Sequence, residues 1–350
     1  MIVFKQNNFQ KRIYTFIFKR VAITTKSPSM QAWILNQHNA YPSLQNFQFH
    51  ESNNLASVEL KSAALNHRDV WINKGLYPNI SLPVVLGSDG AGLYRGNPVL
   101  INPGIRWGEN EKVQDEAFHI LGMPTNGTFA ELTQVPVENI FSIPDHLDFN
   151  EAAALPLAGV TAFRAFVTKC RPEKNSRVLI TGIGGGVALF CMQFALAIGC
   201  EVFVTSGSEE KLKRAIALGA SGGKNYNQAG WTKDLLKLSG GFDIIIDSAA
   251  GQQFNELPKL CRPGGIISIY GGSSGVIEKL NPQLLFWRQI TITGSTMGSE
   301  QDFKYMMAFT EQHKIKPIID SVFDFHRLDQ AMERMHQGKQ FGKIVLNIKN

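Results

Sequence analysis

The chain has 350 residues, 44% of them hydrophobic and 18% charged, with no low-complexity tract and no clear repeat. That is too long for one ordinary core and implies two domains of a globular protein. The formal net charge of +6 is confined to the start: Lys5, Lys11, Arg12, Lys19, Arg20 and Lys26 occupy the first 30 residues with no acid among them, and the remaining 29 basic residues meet 29 acidic ones. A neutral body offers no face for a phosphate backbone, and no apolar stretch reaches the roughly 18–20 residues that cross a bilayer. Neither a nucleic-acid partner nor a membrane span is expected.

Residues 1–29 are basic, hydroxylated and free of acids. They read either as an organelle-targeting segment or as untranslated sequence ahead of a start at Met30. In both readings they stand outside the fold. The expected location is cytoplasmic, or mitochondrial if the leader is a genuine presequence.

Residues 30–150 break into short segments, "QAWIL", "ASVELKSAAL", "NPVLIN" and "TFAELTQVP", separated by Gly, Pro and Asn turns. This pattern predicts a β-rich, partly barrel-like domain. Residues 151–314 alternate apolar strands with helices. "RVLITG" precedes the buried helix "GVALFCMQFALAIG", which Gly199 closes; "CEVFVTS" precedes a helix capped by Ser208 and ended by Gly219. "FDIIIDSA", "QQFNELPKLC" and "GGIISIYG" follow as strand, helix and strand. Continuous apolar strands between helices predict a doubly wound parallel sheet of the Rossmann type. Residues 315–350 read as strand, helix, strand, and the pattern allows them to join either domain. Cys170, Cys191, Cys200 and Cys261 have no metal-ligand spacing and are expected as free, buried thiols.

The turn "ITGIGGGVA" places four glycines in nine residues between the first Rossmann strand and its helix. A diphosphate rests on free helix N–H groups at such a turn. Gly182 permits the tight turn, Gly184, Gly185 and Gly186 admit the diphosphate to the backbone, Val187 follows at the helix start, and Ala188 takes the small packing position. The second strand ends at Ser206 and Gly207 with no carboxylate for a ribose 2′-hydroxyl. Ser206, Ser208 and Lys211 offer hydroxyls and a cation to a 2′-phosphate instead, so NADPH is the expected cofactor. Glu209 and Glu210 are expected to face the helix N-terminus and solvent.

Four stretches together, "SAALNHRDVWINKGLYP", "LPVVLGSDGAG", "GTFAELTQVP" and "RVLITGIGGGVA…VFVTSGSEEKL", resemble the medium-chain dehydrogenase/reductase superfamily. The resemblance implies a GroES-like catalytic domain, a Rossmann domain and a C-terminal return to the catalytic domain. In the zinc branch, a Cys, a Gly-His-Glu and a third ligand hold the metal. Here Asn66, Gly87-Ser88-Asp89 and a position near Leu157 stand there, and residues 102–134 contain no cysteine. Amide, hydroxyl and alkyl groups cannot replace thiolate and imidazole around zinc. The sequence thus resembles the zinc-free, quinone-oxidoreductase-like branch, and no metal is expected. His67 alone is expected to be structural.

By this resemblance Asn66 faces the nicotinamide and the substrate carbonyl, Tyr77 lies near the substrate as a hydrogen-bond or proton donor, and Thr161 starts the helix beneath the nicotinamide. Packing on Pro78 and helix capping are the ordinary roles open to Tyr77 and Thr161. Asp69 is expected to cap or pair near Arg68. Tyr226 matches an adenine-side tyrosine, Lys343 a basic residue near the 2′-phosphate, and Gly271 and Gly272 a close backbone approach to the nicotinamide. Without a Lewis acid, conjugated acceptors are the easier hydride targets, because charge delocalises onto an oxygen that a few donors can hold. The expectation is an NADPH-dependent, metal-independent reductase of a quinone or α,β-unsaturated carbonyl. Its partner is a small-molecule substrate. A homodimer is expected, paired through the strand "ITITGSTMG". An enoyl-thioester reductase and a non-catalytic NADPH-binding protein are the alternatives.

Overall fold

The computed structural model describes residues 29–348. The expected leader lies outside the described residues except for Ser29, which opens the strand Ser29–Leu35.

The first half is built on the strand Ala56–Ala64. Its side chains alternate buried and half-buried as far as Lys61, because one face packs and the other meets solvent. From Ser62 every side chain is buried, since the helix Phe149–Ala154 sets Ala154 against Ala64 and Val345. The sheet runs Ile140–Ser142, Asn97–Ile101, Asp89–Tyr94, Ala56–Ala64, Lys343–Asn347, Ile319–Asp324, with Leu132–Val135 also on Ala56–Ala64. The C-terminal segment therefore enters this sheet, with Val345 opposite Ala64 in an antiparallel pair. A smaller sheet pairs Ser29–Leu35 with Ser43–Gln48 and Val84–Val85.

The second half is a six-stranded parallel sheet. Its spatial order is Gly222–Asn225, Glu201–Ser206, Arg177–Ile180, Phe242–Asp247, Cys261–Ile269, Thr291–Gly294. In chain order this is third, second, first, fourth, fifth, sixth, the doubly wound arrangement whose ligand crevice opens where the order reverses. The reversal lies between Arg177–Ile180 and Phe242–Asp247. The helix Gly186–Ile198 covers one face; its Leu189, Cys191, Met192 and Phe194 share a core with Val178, Ile180 and Phe163. Gly199, at φ +89°, ends it in the left-handed conformation. The expected helix "QQFNELPKLC" is instead a 3-10 turn, Gln252–Glu256, and a single α-turn, Leu257–Leu260. All four cysteines are buried free thiols. Burial pushes Cys170 and Cys261 up to about 12 and Cys200 up to about 11, which keeps them protonated and unreactive at neutral pH.

A buried arginine in the second half, oriented by an ion pair, fastens a loop of the first half to it. Arg164, just past the helix Pro156–Phe163, pairs with Asp302 of the helix Glu300–Gln312. Its other nitrogen donates to the carbonyls of Glu111 and Lys112 at 2.8 and 3.1 Å. Its guanidinium also lies over Trp107, 4.8 Å from the ring centroid. Thr168 Oγ1 donates to the second Asp302 oxygen at 2.6 Å. Trp107 and Phe118 meet edge to face at 5.0 Å, so the loop they anchor packs onto Arg164. Removing one member of a buried pair strands the other charge. Asp302→Ala is expected to cost roughly 3–5 kcal/mol of stability, measured by denaturant unfolding; a loss below about 1 kcal/mol contradicts the role given to the pair.

Candidate active site at the glycine turn

The turn after Arg177–Ile180 has the backbone the glycines predict. Gly182 and Gly184 have φ of +64° and +122°, a region closed to most side chains. Gly185 is the N-cap of the following helix, with no side chain capping it and no atom within 4 Å of an added Cβ. Unsatisfied N–H groups at the helix start therefore face open space. The walls are close on either side. A Cβ at Gly184 would stand 2.8 Å from Lys211 Cδ, and one at Gly186 would stand 2.9 Å from Lys343 Cδ. The Gly342 N–H donates to Gly184 O at 2.9 Å, which docks the C-terminal segment on the turn. Val187 is half-buried against the core, while Ala188 is fully packed beneath the strand.

At the second-strand end, Ser206 is buried and its Oγ accepts from the Ser208 N–H at 3.2 Å. Ser208 caps Glu209–Ala217 by accepting from the Lys211 N–H, and Gly219 follows the helix at φ +112°. Lys211 Nζ reaches across to Gly338 O at 2.8 Å. Tyr226 closes over Gly207, its hydroxyl 2.8 Å from an added Cβ. Glu209 and Glu210 are exposed in the first turn of the helix Glu209–Ala217, as expected, and Glu209 also accepts from Asn225 Nδ2 at 2.9 Å and Gln228 Nε2 at 3.1 Å, on the segment that carries Tyr226. On the other flank, Gly271 backs onto Ser248 O, 2.5 Å from an added Cβ, while Gly272 faces open space. Thr181 Oγ1 and the Ala250 N–H each donate to Asp247 at 2.7 Å and hold the two strand tips at the reversal. The sequence singled out neither Thr181 nor Asp247; "TG" and "DSA" are common strand endings and carry no signal of their pairing.

Next to the turn lies a buried polar cluster. Asn66 caps the helix His67–Asn73, with its backbone N–H donated to Asp69 Oδ2 at 2.8 Å. Its side-chain Nδ2 donates to Asp89 Oδ2 at 2.9 Å, and its Oδ1 accepts from Lys343 Nζ at 2.6 Å. Lys343 Nζ also donates to Leu65 O at 2.8 Å and to Asp89 Oδ2 at 3.0 Å. The other Asp89 oxygen accepts from the Leu157 N–H at 2.8 Å. Two expectations change here. Lys343 is 3% exposed and committed to this cluster, on the Gly186 side of the turn, rather than presented with Ser206 and Lys211 to a 2′-phosphate. Thr161 does not start its helix: it lies inside Pro156–Phe163 and donates back to Leu157 O at 2.7 Å.

Tyr77 is half-buried, its ring under the Arg68 guanidinium at 5.1 Å. Arg68 Nη1 donates to Ser88 Oγ at 2.7 Å and Leu121 O at 3.0 Å. Tyr77 is thereby linked to the residue preceding Asp89. His67, expected to be structural, is solvent-accessible. Neighbouring protein displaces part of its water, and this together with the charges of Lys343 and Lys211 lowers its pKa. Sequence spacing could not have shown that lysines from two distant segments act on His67.

Family models for "Zinc-binding dehydrogenase" and "Alcohol dehydrogenase GroES-like domain" match residues 186–312 and 52–145. A zinc-type alcohol dehydrogenase-like protein of Leptosphaeria maculans is 33% identical over 327 residues, covering 83% of this chain and 90% of its own. The quinone oxidoreductase of Homo sapiens is 27% identical, with 83% and 88% covered. A solved NAD-dependent alcohol dehydrogenase superposes with a TM-score of 0.85 at 34% identity, over 91% of this chain and all of its own.

Burial pushes the Asp69 carboxyl up to about 6, against the pull of Arg68 and the Asn66 N–H. A carboxyl raised in the folded state favours folding fully below its unfolded pKa near 4. That contribution is lost as pH rises through about 6. Stability of the Asp69→Asn variant relative to wild type should therefore improve between pH 4 and pH 7, by up to about 3 kcal/mol. Urea unfolding at the two pH values checks this, and a pH-independent difference contradicts it.

With its glycine turn, its sheet order and these relatives, the chain belongs to the medium-chain dehydrogenase/reductase superfamily, a family of nicotinamide-dependent enzymes, and is an oxidoreductase of that family.

Proposed function

We propose that this oxidoreductase uses NADPH to reduce a quinone or an α,β-unsaturated carbonyl without a metal. The observation that carries the reading is the uncapped helix start at Gly185, open to a diphosphate and adjacent to the Asn66–Asp89–Lys343 cluster. The nicotinamide, when bound, supplies the hydride.

The chain's residues then have these roles. Backbone N–H groups at Gly185, Gly186 and Val187 take the diphosphate. Ser206, Ser208, Lys211 and Tyr226 surround the adenosine end, where Lys211 exchanges its bond to Gly338 O for a 2′-phosphate. Gly271 and Gly272 give the nicotinamide access to the backbone. Asn66 donates its uncommitted amide hydrogen to the acceptor oxygen as charge develops there. Tyr77 supplies a second donor at the substrate, and Thr161 braces the helix beneath.

The residues at the zinc positions do not suit zinc. The Asn66 oxygen is taken by an ammonium, Ser88 accepts from Arg68, and Leu157 offers an alkyl chain. Conjugated acceptors fit a site whose electrophile is an amide, and the likeness to quinone oxidoreductases supports that class. The carboxylate of Glu209 and the likeness to an NAD-dependent alcohol dehydrogenase favour NADH as the competing cofactor.

Titration by fluorescence should give tighter binding of NADPH than of NADH, and Lys211→Ala should remove most of that preference. Gly185→Val, whose Cβ meets no atom within 4 Å, should weaken both cofactors at least about tenfold. Its cap effect on stability should stay near 1 kcal/mol. NADPH oxidation with quinones and enones should survive EDTA. Equal affinity for NADH, or loss of turnover with EDTA, overturns the reading.

The sixth Rossmann strand, Thr291–Gly294, ends its sheet with no further strand among the described residues, and nearby Trp287 and Phe286 are 84% and 60% exposed. An open edge with exposed aromatics supports a homodimer paired through this strand. Sedimentation should give twice the chain mass, and Thr291→Pro should shift it toward the monomer. A monomeric wild type at micromolar concentration rejects this assembly.

A further inference from the structure

We propose that Lys343 and Asp89 are positioning residues that lock the Asn66 amide in one orientation, so that its single free N–H is presented to the acceptor. The proposal deepens the reading above and rests on it.

An ammonium has three hydrogens and no acceptor. Lys343 spends them on Leu65 O, Asn66 Oδ1 and Asp89 Oδ2, at 2.8, 2.6 and 3.0 Å. None is left for a substrate, so the lysine acts only through its neighbours. Asp89 is equally committed. One oxygen takes the Leu157 N–H, and the other takes Asn66 Nδ2 and Lys343.

Between these two charges the Asn66 side chain has one workable orientation. Rotated by half a turn, its NH₂ would face the ammonium and its oxygen would face the carboxylate. Both contacts would then be repulsive, at a site where Lys343 and Asp89 side chains are 4% and 0% exposed and water screens little. The backbone is held as well, by the Asn66 N–H bond to Asp69. Of the two Nδ2 hydrogens, one goes to Asp89, leaving the other uncommitted at a residue that retains 7% exposure. The lysine also polarises the amide. A cation on Oδ1 draws electron density from nitrogen and strengthens the remaining N–H as a donor. A positive charge thereby reaches the reacting oxygen through an amide.

The alternative roles for Lys343 are a cofactor ligand or a structural counter-ion for Asp89. A double-mutant cycle separates them. Lys343→Met should lower kcat about 10²-fold, the scale expected when a catalytic donor is misplaced, while NADPH affinity by fluorescence stays within about threefold. Lys343→Gln, which keeps a donor for Asn66 Oδ1, should recover most of the loss. In an Asn66→Ala background Lys343→Met should change kcat by less than about threefold, because the group it acts through is gone. If the methionine variant does not fold, Asp89→Asn replaces it in the cycle, since an amide there accepts either end of Asn66. The proposal is overturned if the two effects multiply, if NADPH affinity falls in step with kcat, or if the glutamine variant is as slow as the methionine one. A wild type that oxidises no NADPH with any quinone or enone rejects the parent reading instead, and the two failures are distinguishable.

Discussion

The contact on which the site depends is the buried Lys343–Asp89 pair. Four chain segments meet there: the last strand, through Lys343; the strand after Gly87, through Asp89; the end of Ala56–Ala64 and its following cap, through Leu65 O and Asn66; and the helix Pro156–Phe163, through the Leu157 N–H. A buried ion pair is rarely a gain in stability over well-packed apolar groups. Its value here is geometric. Charges that cannot be left unpaired force these four segments into one arrangement, and that arrangement sets Asn66 beside the bare start of the helix Gly186–Ile198. Lys343 spans the gap, with its aliphatic stem along Gly186 and its ammonium in the cluster.

A second constraint acts on the other side. Arg164 and Asp302 tie the loop carrying Trp107 to two Rossmann helices. Each buried pair lies within one half and orients a group that bonds across: Asp89 takes the Leu157 N–H, and Arg164 donates to the Glu111 and Lys112 carbonyls, so the halves are held at more than one point. The unsatisfied N–H groups at Gly185 lie between halves that are already fixed. A ligand arriving there meets a preorganised surface, which lowers the ordering cost of binding.

The fold was largely legible in the sequence. Buried parallel strands announce themselves as apolar runs between helices, and Gly182, Gly184 and Gly199 occupy positive-φ positions that side chains avoid. The helix ends at Ser208 and Gly219 follow from local backbone needs, so they too were readable. The site was legible only in part. The end of the second Rossmann strand nominates Lys211, and the family resemblance nominates Asn66, Tyr77 and Lys343, but neither shows what each one touches. Lys343 is found in the Asn66–Asp89 cluster and not beside Ser206 and Lys211, because a strand's first residue has no local signature of its partner. Thr161 lies inside a helix whose start is marked in the sequence by Pro156, a residue favoured at the first helical position.

What the sequence by itself determined was the parallel sheet, the glycine turn and the absence of zinc-suited side chains at the positions of the superfamily's ligands. These depend on residue type, chain-local periodicity and backbone freedom. Only the tertiary structure decided that Lys343 and Asp89, 254 positions apart, would clamp Asn66. It also decided that Glu209 would bond Asn225 and Gln228 and that His67 would feel the charge of two lysines. The physical reason is that a buried charge's partner is selected by what folding brings within about 3 Å, and nothing in the order of residues along the chain encodes that distance directly.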